Sequence, residues 1–182
     1  MGLIRVAGID PSLRNTGLVI ADVDTEENRI ERIAFMHLIR TEPSKVKSQR
    51  KSSADYQAAN TIANALRSSL EKYEVRLVFA EVPSGAQSAR ASFALGISLG
   101  IIASVQPAPI EVTPAQTKTH SVGIRTATKS EMIEWAVGLY PEAPWLMRGE
   151  RILNSNEHLA DGIGVIHAGL VSPEWSTIKN LL

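Results

Sequence analysis

The sequence predicts an α/β fold built on a mixed five-stranded sheet, with antiparallel strands 1–3 and parallel strands 4–5, flanked by helices. Two apolar runs meet at Asn15-Thr16-Gly17, a β-hairpin signature with Pro11, Asn15 and Gly17 supplying the turn chemistry. From Val75 onward the pattern alternates strand, helix, strand and helix, which implies right-handed parallel crossovers. At 182 residues, 44% hydrophobic and 21% charged, the chain suits one domain spanning residues 1–182.

The first strand climbs from Ile4 to Asp10, and Gly17 to Asp22 forms the second. Asp10 stands where the first strand stops. It can cap the turn through an Asx interaction, or it can serve a site at the edge of the core. Arg29 to Arg40 reads as an irregular third strand. Residues 41–53 are polar, with Lys45, Lys47, Arg50 and Lys51 against a lone Glu42. Such a run is either a solvated loop or an arm that meets phosphates.

Ile62, Ala65, Leu66 and Leu70 recur at helical spacing, so Tyr56 to Tyr73 is read as a helix. Val75 to Glu81 is a mostly apolar strand that again ends on a carboxylate followed by a proline. A helix from about Gln87 to Val105 offers Phe93, Leu95, Leu99 and Ile102 to the core, and Ile110 to Thr113 is a short fifth strand. Beyond it Lys118, Arg125 and Lys129 lie on polar ground. Lys129 to Tyr140 is read as a helix burying Met132, Ile133, Trp135, Ala136 and Leu139, and Pro141 to Ile152 as a loop. The last helix starts near an N-cap at Ser155 and runs apolar to Leu170.

Active sites of open α/β sheets lie beyond the carboxyl ends of the strands, where Asp10 and Glu81 both fall. On the last helix His158 and Asp161 are three residues apart and share a face, with Glu157 directed elsewhere or to the flank. His37, His120 and His167 read as structural. Clustered carboxylates repel, and divalent cations remove the conflict. Mostly oxygen ligands with one imidazole, from Asp10, Glu81, His158 and Asp161, suit Mg²⁺ or Mn²⁺. Two such ions ~3.5–4 Å apart serve phosphodiester hydrolysis. Net charge is zero, so basic residues matter by position. With no cysteine, disulfides and cysteine-ligated zinc are excluded. No apolar run approaches the ~18 residues of a membrane span, and no signal-peptide pattern opens the chain. The expected setting is therefore cytoplasmic, with no membrane partner.

Gly8-Ile-Asp-Pro-Ser-Leu-Arg-Asn-Thr-Gly17 resembles the opening motif of RuvC-type Holliday junction resolvases, within the ribonuclease H-like superfamily. Phe79-Ala-Glu-Val82 resembles the family's second acidic strand, and Gln116-Thr-Lys118 with Val122-Gly123 and Lys129-Ser130 its basic stretch. His158-Leu-Ala-Asp161 resembles its final catalytic helix, so the likeness runs to about residue 170. It implies a ribonuclease H-like fold and a crossover junction endonuclease, working as a homodimer in a bacterial or phage-infected cell. By the same likeness Asp10 would bridge two Mg²⁺ or Mn²⁺ ions, Glu81 would bind one, and His158 and Asp161 would complete the other. Lys118 would contact the scissile region, with Arg14 and Lys129 nearby. The family often places an aromatic shortly after the second acid; here Val82, Pro83 and Ser84 follow, and none appears until Phe93. With the long basic 41–53 segment, this suggests forks and flaps as substrates beside four-way junctions. An actin- or sugar-kinase-like ATPase also opens on a strand, an Asp and a glycine-containing hairpin, but needs a second domain. A non-catalytic domain binding branched nucleic acid is the other alternative, and it gains nothing from clustered acids.

Overall fold

Strand parity decides which side chains meet. In a strand, successive side chains point to opposite faces. Along β1 (Leu3–Asp10), Val6 belongs to one buried cluster while Ala7 and Ile9 belong to another. The same alternation sorts β2 (Asn15–Asp24), where Val19 and Ala21 oppose Leu18 and Ile20. In β4 (Leu77–Glu81), Leu77 and Phe79 oppose Val78 and Ala80. With β3 (Arg29–Arg40) and β5 (Ile110–Val112) the sheet has five strands in the order β3-β2-β1-β4-β5. The first three pair antiparallel and β1, β4 and β5 run parallel, as the sequence predicts. The computed structural model describes residues 2–181 apart from 44, 45, 47, 84 and 86.

One face of the sheet is covered by α1 (Lys51–Lys72) and α2 (Ala89–Ala103), which contribute Ile62, Leu66, Ile101 and Ile102. The other face carries α3 (Pro114–Ser121), α4 (Lys129–Leu139), α5 (Glu157–Gly169) and α6 (Pro173–Ile178). No helix among the described residues is long and apolar enough to cross a membrane.

Helix α5 lies directly on the β1–β2 backbone because glycines make room for it. A Cβ on Gly8 would run into the Gly162 carbonyl oxygen, and one on Gly17 into the carbonyl of His158. At the far end of α5, a Cβ on Gly169 would overlap the Phe79 ring.

Several expectations are corrected. Phe93 and Leu139 are exposed, because each lies on the solvent side of its helix despite the apolar spacing. The basic segment is shorter than expected, since α1 begins at Lys51. Polar ground after β5 folds into α3, held by a capping box in which Thr113 and Gln116 satisfy each other's backbone donors. Residues Met147–Arg148 (β6) and Arg151–Ile152 (β7) pair as a small hairpin inside the expected loop. Ser155 does not cap α5. Asn156 occupies that place and uses its side chain on the preceding segment instead. Helix α6 buries Trp175 completely, beyond where the apolar run ends.

Candidate active site

Parity carries the two strand-end acids to the same side. Asp10 follows Val6 and Gly8 on the α5 face, and Glu81 follows Leu77 and Phe79. The parallel pairing of Ile9 with Ala80 makes their strands neighbours, so these ends adjoin. Helix α5 then brings its first two turns across them. The His158 Nδ1 lies 2.7 Å from the Asp10 Oδ2, and its Nε2 lies 3.3 Å from the Glu157 Oε1. Asp161 is one turn further along the same helix face.

The electrostatics bind the four groups together. Burial, reinforced by the negative charge of Asp10, pushes Glu81 up to about 7, against the hydrogen bond from Thr117 and the charge of Lys118. Burial, then the charges of Asp10 and Glu81, likewise pushes Asp161 up to about 7 while His158 and Lys118 oppose it. Burial disfavours the His158 imidazolium, yet the hydrogen bond and charge of Asp10 outweigh it and raise its pKa. Thr117, fully buried on α3, donates its hydroxyl to the Glu81 Oε2 at 2.9 Å and fixes that carboxylate.

Glu157 reaches this site from the flank of the helix, the second of the two directions expected for it. Its second oxygen lies 2.8 Å from the Lys129 Nζ, so the carboxylate bridges Lys129 and His158. The residue is in the first turn of α5, where a long side chain drawn toward α4 reaches past the helix flank.

The basic residues divide. Lys118 and Lys129 stand at the acid cluster. Arg14 turns to the α1–α2 side, where its Nη2 is 3.1 Å from the buried Asp55, which also receives both Nη atoms of Arg90. A cavity of about 500 Å³ lies there, with Arg14, Gln49, Lys51, Asp55 and Arg90 in its wall. Arg50 and Lys51 are exposed where α1 begins, and Arg125 is exposed between α3 and α4. Lys45 and Lys47 lie outside the described residues. Of the remaining histidines, His167 is half-buried, bonded to the Tyr140 hydroxyl and pushed down to about 4 by desolvation, and burial lowers His37. His120 is exposed on α3 and packs against no core.

Among the described residues no group of three His, Asp or Glu side chains is posed to hold a metal ion. Asp10 and His158 bond each other there, and Glu157 lies against the second imidazole nitrogen. The chemistry of the donor set still fits a hard divalent cation. It offers several carboxylates, one imidazole and more negative charge than its neighbours neutralise.

No family model matches the sequence, and no curated protein matches it. Solved structures do. T. thermophilus RuvC in complex with Holliday junction substrate superposes with a TM-score of 0.67 at 21% identity, over 91% of this chain and 92% of that one. This is the ribonuclease H-like fold of the RuvC resolvases. The yeast mitochondrial Holliday junction resolvase Ydc2 shares it with a TM-score of 0.64 at 15% identity, covering 98% of this chain and 81% of its own. Fowlpox virus resolvase, in complex with substrate Holliday junction DNA, shares the RuvC-like fold at 0.55 and 11%, over 92% and 97% of the two chains.

Proposed function

We propose that the protein is a divalent-metal-dependent endonuclease that hydrolyses phosphodiester bonds in branched DNA, resolving Holliday junctions by paired incisions. One observation carries the reading. Asp10, Glu81 and Asp161 are gathered at one end of the sheet, and the last two are pushed up to about 7 by burial and then by the negative charge of Asp10, with Glu81 adding to it for Asp161. A fold gains nothing from such a cluster unless positive charge is brought to it. The RuvC-like fold, shared with proteins described as bound to Holliday junctions, supports DNA as the partner.

Asp10, Glu81, His158 and Asp161 would hold the Mg²⁺ or Mn²⁺, two ions per site. Such ions supply an activated water and offset the charge that develops on the leaving oxygen. Every other role falls to the chain's own side chains. Thr117 holds the Glu81 carboxylate in one orientation. His158 would have to release Asp10 for both to serve as ligands, and Glu157, anchored by Lys129, would keep the imidazole at the site. Lys118 brings positive charge to the scissile phosphate. Arg14, Lys45, Lys47, Arg50, Lys51, Arg125 and Lys129 meet the flanking backbone, and Asp55 keeps Arg14 in place.

Symmetric incision of two strands calls for two copies of the site, so a homodimer is part of the proposal. The exposed face of α2 supports it: Phe93 is 52% exposed, and nothing lies within 4 Å of where a Cβ on Gly96 or Gly100 would stand. A DNA substrate would call for an intracellular setting.

Incubation with a labelled four-way junction and Mg²⁺ or Mn²⁺ tests the reading, with Y-forks, flaps and plain duplex run alongside. Paired nicks near the branch point are expected. Asp10→Asn should abolish them and keep, or strengthen, junction binding, because it removes a charge that repels phosphate. No incision with either ion at excess protein would sink the enzyme claim, and an Asp10→Asn variant cutting at the native rate would return Asp10 to the role of a turn cap.

A further inference from the structure

The β6–β7 hairpin is a small element with an unusual charge arrangement. Arg148 and Arg151 are direct cross-strand partners, and both are exposed. Like charges placed opposite each other destabilise a two-stranded ladder. Neither guanidinium has an ion-pair partner among the described residues, although Glu150 sits between them at the tip. Gly149, at φ +60°, closes the turn. Hairpins this short do not persist alone in water, so the rest of the protein has to hold it.

Its fastening is well built. Asn156 is fully buried; its Oδ1 accepts from the Leu146 amide at 2.9 Å, and its Nδ2 donates to the carbonyls of Leu146 and Leu153 at 2.9 and 2.8 Å. The Leu153 amide continues the ladder to the Leu146 carbonyl at 3.0 Å, and the Trp145 indole donates to the Tyr140 carbonyl at 2.9 Å. Asn156 thus pins both legs of the hairpin one residue ahead of Glu157 and two ahead of His158. On the same turn, Arg40 at the end of β3 donates to the Ser155 hydroxyl at 2.9 Å, and it too lacks an acidic partner among the described residues. Arg40 therefore contacts the turn that opens the helix carrying His158, and the hairpin that bears Arg148 and Arg151 is fastened to that same turn.

We propose that the β6–β7 hairpin is a phosphate-backbone clamp, in which Arg148 and Arg151, with Arg40 behind them, hold the duplex arm beside the incision site. The inference rests on the nuclease reading above. Arg151 is seven residues from His158, a separation of no more than ~25 Å even for a fully extended chain. A duplex whose scissile bond sits at the acids carries phosphates every ~3.4 Å along each strand, well inside that reach. Bound phosphates would also relieve the repulsion between the two arginines, so the partner and the cross-strand pairing favour each other. An arginine pair suits this because its charge persists at every working pH and its fork matches phosphate oxygens.

The test is binding of a labelled four-way junction without divalent ions, measured by anisotropy over a range of KCl. Three double variants are compared with the native chain. In Arg148→Ser/Arg151→Ser the slope of log Kd against log salt should fall by about 2, at roughly 0.9 per phosphate contact, and affinity at low salt should drop about tenfold or more. Arg148→Lys/Arg151→Lys should keep most of the slope. Arg67→Ser/Arg76→Ser removes the same net charge from exposed positions elsewhere and should leave the slope close to native. Melting temperatures should not fall for the hairpin variants, because the Asn156 clamp uses neither arginine and the Ser pair removes a like-charge repulsion. If the native chain binds the junction and the Ser pair on the hairpin keeps the native slope, or loses no more than Arg67→Ser/Arg76→Ser, the clamp is overturned and the nuclease reading stands. A native chain that binds no DNA overturns both.

Discussion

Glu81 shows how a candidate site residue can work against its own fold. Its carboxyl ordinarily titrates near 4.5 and is pushed up to about 7 in the folded chain, first by burial and then by Asp10. Between those values the folded state binds more protons than the unfolded state. Stability from this group therefore falls as pH rises through 4.5 to 7, and stays low above it. Glu81→Gln removes the charge and keeps an oxygen for the Thr117 hydroxyl. In EDTA at pH 8 the variant should melt a few degrees above the native protein, a few kcal/mol at most for a shift of this size. The gap should close near pH 4.5, where the native carboxyl is already protonated. Equal melting curves at both pH values would mean the acid cluster is not strained without metal. Glu157 and Thr117 teach a related lesson about legibility. Asp10, Glu81, His158 and Asp161 could be read from strand ends and helix spacing. Glu157 could not, because its role depends on Lys129 of another helix, and Thr117 could not, because its partner is 36 residues away.

At the level of elements, the strands were readable because their apolar runs are bounded by Pro, Gly and Asn, and β3 even matches its expected ends. The surplus apolar positions on α2 and α4 mislead: there are more of them than one buried face takes up, and Phe93 and Leu139 are left exposed. Helix α3 has eight residues, too few for a periodic signal, although Thr113-Pro-Ala-Gln116 spells its capping box. The most consequential contact between elements is the seat of α5 on Gly8 and Gly17. A Cβ at Gly8 meets a backbone carbonyl, which no rotamer change relieves. Gly8→Ala should cost about 1–3 kcal/mol or more, since it overfills a packed contact. It should also lower single-turnover cleavage at temperatures where the variant remains folded, because α5 must lift and take His158 and Asp161 with it. Gly138→Ala on α4, where nothing lies within 4 Å, is the control and should be neutral or stabilising. Native cleavage by a folded Gly8→Ala protein would separate the seat of α5 from the site.

At the scale of the whole molecule, the exposed face of α2 is the place to test assembly. Phe93→Asp adds a charge at a half-exposed position, so the monomer should fold with its melting temperature within about 2 °C of native. Light scattering should report a shift from dimer toward monomer, and paired incision should give way to single nicks. A native chain that is monomeric at assay concentrations, or a variant that stays dimeric, would move the interface elsewhere.

The register between β1 and β4, in which Ile9 faces Ala80 across a parallel ladder, sets different tolerances for changes of spelling and changes of length. Exchanging one apolar residue for another inside either strand leaves Asp10 and Glu81 on the α5 face. Inserting or deleting a single residue there turns the terminal carboxylate to the α1–α2 face, because side-chain direction alternates at every position. The connections that carry arginine and lysine, residues 41–50 and the β6–β7 hairpin, lie outside that ladder and can lengthen or shorten without moving an acid. Descendants of this chain would accordingly be free to vary the reach of these basic segments, while the span from Leu77 to Glu81 keeps its residue count.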